Sequence, residues 1–463
     1  MFNQSNCNQV IQGVFKNDFS TFLGLSDQSV NELMPERKDA RGKASTFSAK
    51  ALLCGMCYST LHGIGKLSSN LKRATGKVMS DSGIFQHRQK VPVELLQKVS
   101  DHCLQVVSQS GVDSESYYKG RLLVAIDGTT FNLRNSADIT KRFPKGKTRK
   151  SKTAPLRDVA FARMHTSCLV EVGMHNPLAL EVGNNQEAEL ELSLRLLPKL
   201  PPNFMLLCDR LYSFARFLEQ VEQQCERLNG AFLIRASEIT KKMTLKQTLS
   251  DGSRIIEIPV LSKTKRNKYV GTVVVREIRA IIPTREGEHV EVKFWTNLLD
   301  PLVYPALELV ELYARCGEHE LYYGELKTEL MDGDLLRSKT LHCAVQEIYI
   351  AVWSTAMIAR VRASINSELE DAGLVISFQK VTDKLDTIWS FVSLVGIEID
   401  QRIIDAAITG AIDELKAEQN PKRYNRSCPR TIRQNVIHWP KTREYKSFYG
   451  EFEYQIIDQA TLT

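Results

Sequence analysis

The apolar positions of this chain change period twice, and each change marks a boundary. From about residue 16 to 112 they recur at helical spacing, in VNELM, FSAKALLCGMCYSTLHGIGKL and VELLQKVSDHCLQVV, with Ser, Thr, Asp and Asn breaks between them. This predicts an N-terminal helical domain over 1–115. After the polar joint VDSESYYK come short runs rich in Val, Leu, Ile and Phe: RLLVAID, VAFARMH, CLVEVGMH, PLALEV, FMLLCD and AFLIRA, each the length of a strand. The helical patterns EAELELSLRLLPKL and FARFLEQVEQQCERL alternate with the later strands. That order predicts an α/β domain over 116–365, a mixed sheet with flanking helices.

Residues 240–297 interrupt the alternation. TLSDGSRIIEIPVLS, KYVGTVVVREIRAIIP and HVEVKFWTNLLD carry period-two apolarity with Gly, Pro and Asp turns, which predicts an antiparallel β-rich insertion. Helical periodicity resumes at Pro305, a residue suited to a first helical turn, and runs through LELVELYARCGEHELYYGELKTEL. A turn near Met331–Leu335 precedes a further helix over LHCAVQEIYIAVWSTAMIARV. The remaining 366–463 reads as a C-terminal helical and basic tail region, its last 45 residues Pro- and Asn-interrupted and loosely ordered without a ligand.

Two of the apolar runs end alike, LLVAID at Asp127 and FMLLCD at Asp209. A carboxylate at the end of a buried run costs several kcal/mol in desolvation unless a cation or hydrogen bonds compensate. Two of them at neighbouring strand ends therefore point to a shared metal site, although Asp127-Gly128 is equally a turn signal. A third acid is sought on the helix after the insertion. At about 100° per residue, positions seven apart nearly eclipse, so Tyr313, Cys316, Glu320 and Lys327 share a stripe from which Glu318, Glu325 and Glu329 point away. The same acids also suit a solvated face paired with Lys327. Asp127, Asp209 and Glu320 together can hold two hard divalent cations, Mg²⁺ or Mn²⁺, and such a pair serves in-line displacement at phosphorus. Water as nucleophile gives a nick, and a 3′-hydroxyl gives strand transfer.

Composition narrows the alternatives. A chain of 463 residues with 43% hydrophobic content exceeds one ordinary core and suggests two or three domains. No uninterrupted apolar run approaches the roughly 20 residues of a membrane span, and MFNQSNCNQV lacks the order of a signal peptide, so the expectation is a cytoplasmic protein without membrane contact. Ten scattered cysteines read as reduced thiols, and Cys54-x2-Cys57 lacks a second ligand pair for zinc. There is no G-x-S-x-G and no Gly-rich phosphate loop, which argues against a serine hydrolase and against a nucleotide cofactor.

The net charge of +7 is modest, but its distribution is uneven. Residues 141–152 (KRFPKGKTRKSK) hold seven basic residues and no acid, and 416–447 hold nine against Glu418 and Glu444. Such blocks neutralise phosphates or simply stay solvated. Lys145, Lys147, Arg149, Lys150, Arg426 and Arg430 are the candidate DNA contacts within them, and SNLKRATGK at 69–77 is the best basic segment of the helical domain, the candidate reader of DNA ends.

These segments resemble the insertion-sequence-4 group of DDE transposases. AIDGTTFNL is similar to that family's first-aspartate strand, LLCDRLYSFARFLE to its second-aspartate strand and helix, and FLIRA to the strand before its insertion. FWTNLLDPLVYPALELVELYARCGEHELYYGELK resembles its last-acid region, LLRSKTLHCAVQEIYIAVWSTAMIARVR the following helix, and NRSCPRTIR a basic motif near the end. The resemblance covers roughly 50–365 and implies a ribonuclease-H-like catalytic domain with a β-rich insertion before the final acid. It implies Asp127, Asp209 and Glu320 as ligands of two Mg²⁺ or Mn²⁺ ions, with Tyr313 and Lys327 contacting DNA near the scissile phosphate.

The family signature Y-x2-R-x3-E-x6-K is met by Tyr313, Glu320 and Lys327, while its arginine position holds Cys316 and Gly317 follows where tryptophan is common. Arg315, one residue early, is kept as a DNA-binding candidate. The implied partners are double-stranded DNA, as terminal inverted repeats and target, and a second copy of the chain in a synaptic homodimer at a bacterial nucleoid. Some relatives cut through a hairpin with a flipped base, for which Trp295 is a stacking candidate or a core residue. A metal-dependent nuclease without joining activity and an inactive DNA-binding derivative are the alternatives.

Overall fold

The computed structural model describes residues 23–24, 26–33, 48–148, 157–184, 187–236, 243–261, 269–283, 289–366, 369, 374–395 and 400–421. Among them a ten-stranded sheet runs through the protein. Its main strands are β1 (Arg121–Leu133), β2 (Ala162–Glu171), β3 (Asn176–Val182), β4 (Phe204–Cys208), β5 (Ala231–Arg235), β6 (Thr244–Thr248), β7 (Arg254–Leu261), β8 (Tyr269–Pro283) and β9 (His289–Thr296), and the short strand Tyr117–Tyr118 pairs onto β1. The spatial order is β3-β2-β1-β4-β5-β9-β8-β7-β6. β1, β2 and β3 form an antiparallel meander, while β4 runs parallel to β1 and β5 parallel to β4. An order of 3-2-1-4-5 with that mixture of directions is the ribonuclease-H-like topology, so the expected fold class is the observed one.

The unbroken run LLVAI in β1 follows from burial on both faces. Leu122, Val124 and Ile126 join the layer containing the helices Glu189–Leu196 and Ala215–Leu228, whereas Leu123 and Ala125 join the opposite layer with Leu309 of the helix Ala306–Tyr313. β1 does not stop at Asp127 as the pattern suggested. It continues to Leu133 because β2 stays paired with it throughout, from Val124 opposite Glu171 to Leu133 opposite Ala162. The parallel partner β4 ends its register at Ala125, so Asp127 stands where β1 loses its neighbour. Crevices at the carboxyl ends of such strands are where α/β proteins place ligands.

Two further expectations are corrected. VAFARMH and CLVEVGMH are not separate strands: their central residues form β2, whose first half is exposed on one face and whose second half is buried on both. The helix expected over the last-acid region is divided into α-helix Ala306–Tyr313, a 3₁₀ turn Ala314–Gly317, α-helix Glu318–Gly324 and a π-helical turn Glu325–Leu330. Each change of helical type rotates the following side chains relative to a regular helix, and π turns recur at functional sites.

The 240–297 segment is antiparallel, as its alternation predicted, yet it extends the main sheet: β9 pairs with β5 through Phe294–Arg235, Trp295–Ile234 and Thr296–Leu233. Arg276 on β8 is fully buried and braces this extension. Its guanidinium donates to Ser253 Oγ at 2.8 Å, to the carbonyls of Leu298 at 3.2 Å and Tyr304 at 2.6 Å, and to the Asp251 carboxylate. It thereby ties the insertion to the loop that leads into the last-acid region.

Helical segments before and after the sheet surround the 26-residue helix Leu341–Asn366. Its most apolar stretch is 78% buried, so the length and hydropathy that suit a membrane span fill a protein core here. That core is continuous: Leu52, Leu96, Trp353, Ile358 and Leu385 share it with Phe131, Leu133 and Met164 of the sheet. The change of period near residue 115 therefore separates helix from sheet along the chain without separating their cores.

Replacing Arg276 by Met leaves the Asp251 carboxylate and two carbonyls without their buried donor. We expect a loss of about 3 kcal/mol of stability, the scale for breaking one side of a buried ion pair. Urea unfolding checks this, and a midpoint unchanged from the parent protein would show that the brace is dispensable.

Candidate active site

Asp127 is set by β1 with its main chain clamped from both sides. Its carbonyl accepts hydrogen bonds from Ser167 Oγ at 3.0 Å and from Tyr323 Oη at 2.8 Å. Its side chain is about one-third exposed, 33%. Burial pushes its pKa up to about 7, and the neighbouring charges of Glu189, Asp209 and Glu320 push the same way. Asp209 follows β4 directly and caps the 3₁₀ turn Arg210–Tyr212, its Oδ1 accepting the Leu211 amide at 2.7 Å. Glu320 lies on the exposed side of the helix Glu318–Gly324. The charges of Asp209 and Glu320, remote from it in sequence, thus act on Asp127.

Cys316 takes part in the same environment. Burial raises its thiol pKa to about 12, and Asp127, Asp209 and Glu320 each add to that rise. Position 316 therefore faces the carboxylates even though the helix is segmented. Tyr313 packs its ring 4.7 Å from that of Phe294, and burial together with the Cys316 thiol holds its phenol well above the usual range. Lys327 donates from Nζ to the Thr130 carbonyl at 2.7 Å and lies 4.8 Å from the Phe131 ring centroid, which places an ammonium along β1 beyond Asp127.

Arg315 is turned to other work. Its guanidinium binds the Glu318 carboxylate and donates to the Glu115 carbonyl at 2.6 Å, so the structure does not bring it to the three acids. Trp295 is fully buried, with its indole nitrogen 3.4 Å from Glu277, and belongs to the core rather than to a stacking surface. Lys147 is exposed on a two-residue strand paired with Arg157–Asp158, and Lys145 is half-buried just before it. Arg149, Lys150, Arg426 and Arg430 lie outside the described residues.

Two neighbours of Asp127 carried no signal in the sequence. Glu189, in the first turn of its helix, reads as an ordinary acid complementing the helix dipole. It lies against Gly128, where an added Cβ would meet its Cδ at 2.2 Å, and its Oε1 accepts from Tyr212 Oη at 2.9 Å. Tyr212 continues through Ser193 and Ser167 back to the Asp127 carbonyl, a buried chain of hydroxyls with links of 3.2, 2.9 and 3.0 Å. His319, next to Glu320, has Nδ1 4.0 Å from Asp127 Oδ2. Burial lowers its pKa to about 4, so the ring is neutral.

The donor set suits a hard divalent cation: carboxylate oxygens predominate, and their mutual repulsion is the kind of field such a cation relieves. Among the described residues no group of three or more His, Cys, Asp and Glu stands at the separations of an assembled metal cluster. The acids share a field without having closed on one point.

No protein-family model matches the chain. It is similar to the transposase InsG for insertion sequence element IS4 of Escherichia coli (strain K12), with 22% identity over 272 residues, 58% of this chain and 58% of that protein. The match thus spans less than two thirds of the relative's length. A solved structure of a piggyBac transposase synaptic complex with hairpin DNA is also similar, with a TM-score of 0.45 and 9% identity over 88% of this chain and 85% of that one. The resemblance to insertion-sequence-4 transposases read from the motifs is met by the InsG likeness.

The raised pKa of Asp127 has a sign that can be measured. Between its ordinary value of 3.8 and about 7 the folded protein holds a proton that the unfolded chain releases, so this group's contribution to stability is lost as pH rises through that window. In chelator-treated protein, the melting temperature should fall between about pH 4 and pH 7, and Asp127→Asn should flatten the fall. Parallel profiles for the two proteins would refute a desolvated, repelled carboxylate at this position.

Proposed function

We propose that the chain is a DNA transposase that binds the terminal inverted repeats of an insertion sequence, cleaves the ends and joins their 3′-hydroxyls to target DNA in a cut-and-paste reaction. The observation that supports this reading is Asp127 itself, at the open carboxyl end of β1 and β4, its pKa raised by burial and further by the charges of Glu189, Asp209 and Glu320. The ribonuclease-H-like strand order and the likeness to an insertion-sequence transposase support it.

In this reading Asp127, Asp209 and Glu320 hold two Mg²⁺ or Mn²⁺ ions, which when bound supply the charge stabilisation and the activated oxygen that phosphoryl transfer needs. The protein's part is positioning. Ser167 and Tyr323 fix the main chain at Asp127, so its carboxylate is presented from a rigid strand. Lys327, already turned toward β1, offers a point charge for a phosphate, and Tyr313 marks the DNA side of the last-acid helix. Lys145, Lys147, Arg149, Lys150, Arg426 and Arg430 contribute salt-sensitive backbone contacts. Arg315 joins them only if Glu318 releases it.

The N-terminal helical domain, 1–115, reads the repeats. The 116–365 domain with its 240–297 insertion carries the chemistry, and the 366–463 region adds basic contacts. Two copies synapse the two ends of the element, in a cytoplasmic, nucleoid-associated setting and without a nucleotide cofactor.

The experiment uses a duplex carrying the inverted repeats that flank the coding region. Mg²⁺-dependent cleavage and joining should fall by at least about 10³-fold in Asp209→Asn, while repeat binding measured by gel shift stays within about twofold of the parent. Lost binding would mark Asp209 as structural. Cleavage without joined product would favour a nuclease over a transposase.

A further inference from the structure

We infer that His319 is a nitrogen donor of the carboxylate centre, its Nδ1 taking a divalent cation together with Asp127 and tilting that position toward borderline transition-metal ions such as Mn²⁺ and away from Mg²⁺. The inference deepens the functional reading above and rests on it for the presence of a cation at the three acids.

The geometry begins with the tautomer. Nε2 of His319 lies 3.2 Å from the Cys168 carbonyl. A carbonyl only accepts, so Nε2 carries the hydrogen, and in a neutral ring Nδ1 is left with an in-plane lone pair. The side chain is 2% exposed, and its Nδ1 has no hydrogen-bond partner among the described residues. The ring is gripped edge-on by Tyr322 and Tyr323, with centroids at 5.9 and 4.8 Å. Tyr323 also holds the Asp127 carbonyl, so the ring and the strand that bears Asp127 are fixed by one residue.

A buried acceptor without a donor is costly, and a rigid one needs a reason. Nδ1, the atom that bears the lone pair, lies 4.0 Å from Asp127 Oδ2. That gap is too long for a hydrogen bond, yet it lies within the roughly 4.2 Å spanned by two metal–ligand bonds of about 2.1 Å each. The chemistry of the donor then sets the preference. Magnesium keeps to oxygen, whereas imidazole suits the later first-row ions. The ring is already oriented, because an Nε2–H bond such as that to the Cys168 carbonyl is the contact that positions a ligating histidine. A bridging water is the competing occupant of the same lone pair, and it would leave the nitrogen silent toward the ion.

The test uses full-length protein and Mn²⁺ alone. Pulsed EPR of bound Mn²⁺ should show coupling to an imidazole nitrogen in the parent protein, and the coupling should vanish in His319→Phe, which keeps an aromatic ring between the tyrosines. Mn²⁺ affinity should fall roughly 10–100-fold in that variant. Mg²⁺ affinity, measured by competition, should change by less than about threefold. Because the coupling is read first in the parent protein, a misfolded variant does not decide the result. Mn²⁺ that binds in the parent, is lost in Asp127→Asn and shows no nitrogen coupling overturns the role of His319 and leaves the functional reading standing. If Mn²⁺ does not bind at the acids at all, both fail.

Discussion

The constraint on which this structure turns is the placing of one carboxylate, Asp127, on β1, where burial and then the charges of Glu189, Asp209 and Glu320 all push its pKa up. The surrounding fold holds it there by rigidity. β1 is buried on both faces from Leu122 to Ile126 and paired with β2 from Val124 to Leu133, so the main chain at Asp127 is held against fraying. Ser167 and Tyr323 add two hydrogen bonds to its carbonyl, and Glu189 fills the space left by Gly128.

The third acid arrives by a longer route, and the insertion helps to guide it. β9 extends the sheet from β5, and Arg276 in β8 binds the carbonyls of Leu298 and Tyr304 just before the helix Ala306–Tyr313. The start of that helix is therefore fixed relative to the sheet that carries both aspartates. Downstream, Glu325 is held between His175 and Arg362, which anchors the far end of the segment containing Glu320. Glu320 itself lies on the exposed side between two anchored ends.

Much of this was legible because burial leaves a periodic trace. LLVAID and FMLLCD announced strands with an acid at their ends, and the alternation in 254–296 announced antiparallel pairing. What periodicity does not encode is where a strand loses one neighbour while keeping another, so β1 ran on past Asp127 unseen. The helix around Glu320 was chosen by a seven-residue stripe that assumes one regular helix. The 3₁₀ and π turns break that assumption, yet Cys316 faces the acids and Lys327 still turns to β1. Glu189 and His319 left no trace, since an acid in a first helical turn and a histidine beside a glutamate are common. The packing of the helix Glu189–Leu196 against Gly128 and the approach of the helix Glu318–Gly324 bring them to Asp127.

The departure at position 316 acquires a physical meaning from the same field. The signature that Tyr313, Glu320 and Lys327 fit has a guanidinium at that position, whereas this chain places a neutral, half-buried thiol there and commits Arg315 to Glu318. A cation built into the protein would offset part of the repulsion among the acids; a thiol offsets none. Position 316 therefore adds no positive charge beside the acids, and under the proposed function a bound divalent cation would have to supply it.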